Sequence, residues 1–558
     1  MPSNDIDRRS FLKAAGGAAA AATTAGCTDF GGGGDGGGGT LVYSRGDHPE
    51  NYDPQQTTSG EVAKVTNQIF NQLIQFVPGG GGALEAGLAT DYGLEGTTAS
   101  LTLREGVTFH DGEEFTAEDF RATFRRFTDS EYDYYLGDEN ASGYGPFTLG
   151  NWIDTVNIVG DYELEIELTQ QYAPFLRNLA MFAASVLSKA QIESLGTDPE
   201  SQSELGTDPI GTGPFAFDQL DNSNQRVRLT ANDDFWGQVP KVDVVVFNTI
   251  GENSTRASSL INDESQIIDG IGAQASQQIE DSDSATLAQK DGINIGYMAF
   301  NFERVEAFRK RKVRRAVSLA VNTEAVVNQI YEGFASQADQ PLPPNVLGYN
   351  DDLEPYANDK EQAQQLLEEA GESDLSFELA TFSNPRGYNP SPVQTAEQFR
   401  SDLSEIGVDV EINQFSTFTS YLEYTAAGNH DACFLGWYTD NADPDNFLYV
   451  LLDPKVDREQ IPEGQDWVSF NTEGYSTLNV SGWANSEYID IVREAQQTYD
   501  ESTREELYRE ANQIAHDEAP WVFVDYAKTL RGVSSQVVDG TYTISSVGGP
   551  YLNTIELQ

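Results

Sequence analysis

The charge balance constrains this chain more than any other single feature: 89 acidic residues face 33 basic ones, a formal net charge of −56 over 558 residues. Charge on that scale opposes a compact state through self-repulsion unless salt screens it. The acids are dispersed along the whole length, and 39% of residues are hydrophobic, with 11% aromatic. The chain therefore has enough apolar material to fold against the repulsion. This reads as a folded protein of a halophilic source, where a short Debye length makes the charge tolerable. Binding of cations or basic partners is the alternative reading. Nucleic acid is excluded as a partner, because phosphate contacts need basic patches. The length predicts two or three domains.

Residues 1–27 read as an address and not as fold. Arg8-Arg9-Ser10-Phe11-Leu12-Lys13 is a twin-arginine signal, followed by a weakly apolar stretch from Ala14 to Ala25. That stretch is too short to span a hydrocarbon core of about 30 Å. It ends in Thr24-Ala25-Gly26-Cys27, which resembles the lipobox of lipoproteins, with Cys27 as the lipid-bearing residue. Residues 28–39, nearly all glycine from Gly31 to Gly39, form a flexible tether. The expectation is a protein exported folded and anchored by lipid to the outer face of the cell membrane. The other cysteine, Cys433, sits in the apolar run Ala432-Cys433-Phe434-Leu435 and reads as a buried small residue, so no structural disulfide is expected.

Beyond the tether, strand and helix patterns alternate in an α/β mixture. Tyr162 to Leu168 alternates apolar and acidic residues, a half-buried strand. Gln225 to Thr230 and Val242 to Phe247 are further strands, the second continuous enough to be buried on both faces. Thr116 begins a helix carrying Phe120, Phe124 and Phe127, with Glu118 and Asp119 in its first turn. Asn358 is placed to cap another, striped by Ala363, Leu366, Leu367 and Ala370 and stopped by Gly371. Thr503 with Glu506 forms a capping box before a long helix that halts ahead of Pro520.

No enzyme signature is present: there is no Walker loop, GxSxG elbow, HExxH or CxxC. The four histidines, His48, His110, His430 and His516, are too widely separated in sequence to suggest a metal site. Asp440-Asn441-Ala442-Asp443-Pro444-Asp445-Asn446 concentrates carboxylates, but it lacks the central glycine of a calcium loop and carries a proline among the would-be ligands. Neither metal nor cofactor is expected.

Several segments in order resemble the peptide-binding family of solute receptors for ABC importers, the class of dipeptide-, oligopeptide- and nickel-binding proteins. Leu101 to Gly112 (LTLREGVTFHDG) matches the family's LRxGVxFHDG run, and Phe115-Thr116-Ala117-Glu118-Asp119 continues it. Pro209 to Phe215 (PIGTGPF) matches its PxGTGPF loop, and Val313 to Ala320 (VRRAVSLA) matches its VRxAlsxA helix. The likeness spans residues 40 to 558 and implies an α/β, two-lobed fold like that of periplasmic binding proteins, with a cleft between the lobes. It implies a first lobe of residues 40–75, 205–296 and 526–558, an extra subdomain of residues 76–204, and a second lobe of residues 297–525. Lobe crossings are expected near Tyr297 to Phe302 and Val522 to Arg531. Phe109, His110 and Asp111 are expected to be architectural.

The resemblance also implies a ligand, a small peptide, and partners, the importer's permease subunits, for a monomeric receptor. Gly436 to Pro444 resembles the segment whose aspartate binds a peptide's α-ammonium, and Asp440 holds that position. Pro385 to Pro390 resembles the RPYNP segment of the dipeptide branch, in which the arginine, here Arg386, takes the carboxylate; Gly387 replaces the branch's proline. A desolvated ammonium needs a fixed carboxylate, and a guanidinium meets a carboxylate through two parallel hydrogen bonds. A two-residue peptide extends roughly 7 Å at most, so two fixed charges would act as a ruler. Trp437, Tyr438 and Tyr388 are candidate apolar walls, and Thr58, Ser59 and Gly60 resemble a loop offering polar contacts. The same fold could instead take glutathione, a nickel chelate or an oligosaccharide, or serve a sensor or chaperone.

Overall fold

The computed structural model describes residues 38–558 except Asn384. The twin-arginine segment, Cys27 and most of the glycine tether lie outside the described residues. Among the described residues, twelve strands form one sheet, ten along a single hydrogen-bonded path and two pairing off it, in two halves that meet on a single strand, Trp521–Ser534. Its first residues pair antiparallel with Asn294–Phe300, its middle with Ala335–Gln337, and its last seven with Ala285–Asp291. On one side the sheet continues through Ile267–Ile268, Thr40–Arg45, Val244–Thr249, Arg226–Ala231 and Phe215–Asp221. On the other it continues through Asn294–Phe300, Ala432–Tyr438, Ser376–Phe382 and Asp409–Phe415. Mixed parallel and antiparallel pairing with helices packed on the strands makes an α/β fold of two lobes.

The chain passes between the lobes at Gly292 and Ile293, and again inside Trp521–Ser534. The first passage comes ahead of Tyr297 to Phe302, where the sequence suggested it. That segment is fully buried, and most of it is the body of strand Asn294–Phe300, whose run Asn-Ile-Gly-Tyr-Met-Ala-Phe keeps both faces covered. A separate antiparallel sheet, ordered Ala89–Glu95, Thr98–Leu103, Glu163–Leu168, Ile153–Gly160, forms the added subdomain. There Leu164, Ile166 and Leu168 point inward while the alternating glutamates stay outside.

Helix ends follow local chemistry. Thr116 and Asp119 form a capping box for helix Ala117–Thr128, which buries Phe120 and Phe127. Helix Lys360–Ala370 ends on left-handed Gly371 as expected, but its N-cap is Asp359, one residue past Asn358. Asn358 is drawn off to the carbonyl of Ala320, 2.8 Å away. Helix Glu501–Glu518 starts ahead of the expected box, because Asp500 accepts the backbone N–H of Thr503 at 2.9 Å.

The PIGTGPF loop lies against the end of helix Gly60–Ile69, and the Gly213 N–H donates to the Ile69 carbonyl at 2.7 Å. A Cβ on Gly211 or Gly213 would strike that helix-end backbone. His110, at the turn of the FHDG run, bonds the Gly213 carbonyl at 3.0 Å and accepts the Gly211 N–H at 3.3 Å, which ties the subdomain to this loop. Gly211→Ala should therefore cost about 1–3 kcal/mol in denaturant unfolding at high salt, as overpacking does. An unchanged midpoint would contradict the close approach.

Candidate functional site

A cavity of about 430 Å³ lies between the lobes, within the range of small-ligand sites. Helix Gly60–Ile69, the segment around Trp236 and the C-terminal residues Tyr542 and Tyr551 line it from the first lobe; Tyr438, Thr439 and Asp440 enter from the second. Of the residues singled out in the sequence, Gly60, Tyr438 and Asp440 line this cavity. Tyr438 keeps 39% of its surface exposed.

The segment after strand Ala432–Tyr438 folds as a chain of side-chain turns. Asn441 accepts the N–H of Asp443 at 2.9 Å, and Asp443 accepts that of Asp445 at 2.9 Å. Ala442 takes φ 55°, and Pro444 opens helix Asp445–Leu452. The carboxylates here differ by environment. Asp443 faces the guanidinium of Arg504 through two bonds of 3.0 and 2.6 Å and is held below the ordinary aspartate range despite its burial. Asp445, buried beside ionised Asp443, is pushed up to about 7. Asp440, half-buried at the cavity, is also pushed up to about 7, by desolvation, against a hydrogen bond from the Tyr144 hydroxyl that lowers it. Among the described residues no lysine or arginine comes within 4.0 Å of Asp440, and no group of three or more His, Cys, Asp or Glu is arranged to hold a metal.

This segment also fastens the two lobes. Asn441 donates to Asn178 at 2.8 Å, Arg177 donates to the Asn441 carbonyl at 3.4 Å, and the Tyr172 hydroxyl reaches Asp445 at 3.4 Å. Tyr144, Tyr172, Arg177 and Asn178 all belong to the added subdomain. Nothing in their local sequence marks them, since the partner segment lies more than 260 residues away.

Arg386, Gly387, Tyr388 and Asn389 form a tight turn closed by two backbone bonds between Arg386 and Asn389, of 2.9 and 3.0 Å. The Arg386 guanidinium stacks 3.8 Å over the ring of Phe418, and its Nε is buried without a partner. Among the described residues it has no carboxylate in ion-pair range, and it does not line the cavity. Gly387 has a reason to replace proline: a Cβ there would collide with the Tyr438 hydroxyl. Tyr388 is buried against Gly436, where a Cβ would strike its ring, and lies 6.2 Å from the ring of Tyr438. Trp437 donates its indole N–H to Asn446 at 2.8 Å and does not line the cavity. Ser59 is spent as the N-cap of helix Gly60–Ile69, and Thr58 is exposed beside it. The sequence reading passed over Tyr144 and the lining residues Lys64, Trp236, Arg531 and Tyr542.

With this geometry in view, the comparisons with known proteins agree along the chain. The model of bacterial extracellular solute-binding proteins, family 5 Middle, matches residues 83–458, and that of the twin-arginine translocation signal matches residues 5–25. The dipeptide-binding protein of Escherichia coli is 30% identical over 93% of this chain and 95% of its own length. Among solved structures, the periplasmic binding protein DppA of Helicobacter pylori in complex with the peptide STSA is 31% identical, with a TM-score of 0.79 over 93% of this chain and 98% of that one. A dipeptide-binding protein of Pseudoalteromonas in complex with Met-Leu is 27% identical, also with a TM-score of 0.79, over 93% and 100%.

The contact between Gly387 and Tyr438 yields a double-mutant test. Gly387→Ala should cost about 1–3 kcal/mol of stability as an overpacked contact, and Tyr438→Phe, which removes the colliding oxygen, should restore part of it. Strictly additive effects would mean that the two do not touch.

Proposed function

Because the chain belongs to the bacterial extracellular solute-binding proteins, family 5, we propose that it captures di- and other short peptides between its lobes outside the cell and hands them to the permease of an ABC importer. Asp440 carries this reading: a desolvated carboxylate with no cationic partner within 4.0 Å among the described residues, lining a cavity of small-ligand size. A peptide's α-ammonium supplies the missing charge. Arg386, unpaired on its aromatic shelf, takes the terminal carboxylate once the lobes hold a peptide. Tyr438 and Tyr388 wall the side chains, Trp437 steadies the segment through Asn446, and the Thr58-Ser59-Gly60 loop closes the rim. Closure turns on the Gly292-Ile293 passage and on Trp521–Ser534, with the second lobe, from strand Asn294–Phe300 to the first residues of Trp521–Ser534, moving as one body.

In the same proposal the mature receptor begins at Cys27, is held by lipid to the outer face of the membrane, and works as a monomer in concentrated salt. The binding chemistry is unaffected by that setting, because buried pairs are screened far less than exposed ones.

The raised pKa of Asp440 sets the pH dependence. Pairing with an ammonium requires the ionised form, which prevails above about pH 7 and is lost as pH falls through that value. Calorimetry with Ala-Ala should show affinity near its maximum at pH 7.5 and about tenfold weaker one unit below the transition. The same shift costs the empty protein stability as pH rises from the ordinary aspartate value of 3.8 to about 7. Asp440→Asn should flatten the affinity profile and weaken binding by about 1.5–3 kcal/mol. N-acetylated peptides should bind no better to the native protein than to that variant. Equal affinities of native and variant protein for free Ala-Ala would remove Asp440 from the site.

A further inference from the structure

Four charged side chains line the cavity: Lys64, Glu85, Asp440 and Arg531. Asp440 is assigned above to the ligand's ammonium. Lys64 is already neutralised, with its Nζ 2.5 Å from both Glu61 and Asp269. The neutral amides beside it are also engaged: Asn67 donates to the Gly549 carbonyl at 2.9 Å and Gln68 to the Pro550 carbonyl at 2.7 Å.

Arg531 is different. It leaves the shared strand Trp521–Ser534 in the half that belongs to the first lobe, and is half-buried. Its Nη1 donates to the Leu530 carbonyl at 2.8 Å, and its guanidinium donates to the Tyr542 hydroxyl oxygen. Tyr43, Tyr438 and Asp269 complete its charged and titratable surroundings. Asp269 is held by Lys64 and by the Tyr43 hydroxyl at 2.9 Å, and among the described residues no carboxylate comes within 4.0 Å of Arg531. A planar fork of donors thus lines the cavity with no carboxylate in direct ion-pair contact, although Asp269 favours its charge from farther off.

We propose that Arg531 receives a carboxylate of the bound peptide, so that the receptor prefers peptides with an aspartate or glutamate side chain. The inference rests on the peptide reading above and deepens it. A guanidinium that lines the cavity without a direct carboxylate partner can meet a ligand carboxylate with two parallel bonds. Arg386 is assigned in the proposed function to the α-carboxylate, which leaves Arg531 for a second acidic group. Its seat on a strand bonded to both lobes holds it more firmly than a loop would.

The test compares Ala-Glu and Glu-Ala with the near-isosteric Ala-Gln and Gln-Ala by calorimetry, with free and amidated C-termini, on the native protein and on Arg531→Gln and Arg531→Lys. Lys64 remains beside Asp269 in both variants, so neither leaves that carboxylate without a cation. The native protein should favour glutamate over glutamine by about ten- to a hundredfold. Arg531→Gln should abolish the preference by weakening the glutamate peptides far more than the glutamine peptides and Ala-Ala, and Arg531→Lys should retain part of it. No preference in the native protein, or an equal loss for every peptide in Arg531→Gln, overturns the assignment. Dependence on Arg531 that disappears when the C-terminus is amidated overturns it too, because Arg531 then reads the α-carboxylate. If no peptide binds the native protein, the peptide reading itself fails along with this one.

Discussion

One strand belongs to both lobes, and the cavity follows from that. Trp521–Ser534 hydrogen-bonds to Asn294–Phe300 with its first residues and to Ala285–Asp291 with its last, so a single covalent backbone sets the position of each half-sheet relative to the other. Side chains on such a strand inherit its rigidity. Arg531 on its first-lobe half lines the cavity, and strand Ala432–Tyr438, which delivers Tyr438 and leads into Asp440, pairs with its neighbour Asn294–Phe300. At the bulge opposite Gly296 the same strand carries Asp525, whose two oxygens are buried without a hydrogen-bond partner, so desolvation keeps it protonated well above the ordinary range.

A net charge of −56 makes the buried charges the informative ones. Asp53 pairs with Arg126, Asp443 with Arg504 and Asp453 with Arg493, each at 2.6–2.7 Å, and these fixed pairs hold loops and helices that local propensity would leave free. Asp440 and Arg531 stand apart from that pattern. Both are polar, partly withdrawn from water and, among the described residues, without an oppositely charged side chain within 4.0 Å at the same cavity, an arrangement that suits a ligand carrying charges of both signs.

Much of the scaffold was legible in the sequence. The acidic alternation of Glu163–Leu168, the capping box at Thr116 and the stop at Gly371 are local signals, and local signals survive folding because their partners lie within a few residues. Caps misplaced by one to three residues, at Asp359 and Asp500, show where the limit lies: adjacent oxygens compete for the same N–H groups, and a distant carbonyl such as that of Ala320 decides which is free. The replacement of proline by Gly387 stood out in the sequence, yet its cause, the Tyr438 hydroxyl about fifty residues on, did not.

The sequence alone determined the twin-arginine export signal, many of the local elements and the family, because these depend on residue type and short-range spacing. It also marked Asp440 and Arg386 through the segments around them. Only the tertiary structure decided which carboxylates of the 440–445 segment are ionised, since Asp443 and Asp440 are the same residue type and differ in having Arg504 or the cavity opposite. It likewise turned Tyr144 toward Asp440 and set Arg531 at the cavity without a carboxylate in direct contact. The physical reason is that pairing and desolvation are properties of what surrounds a group, and those surroundings are assembled from segments hundreds of residues apart.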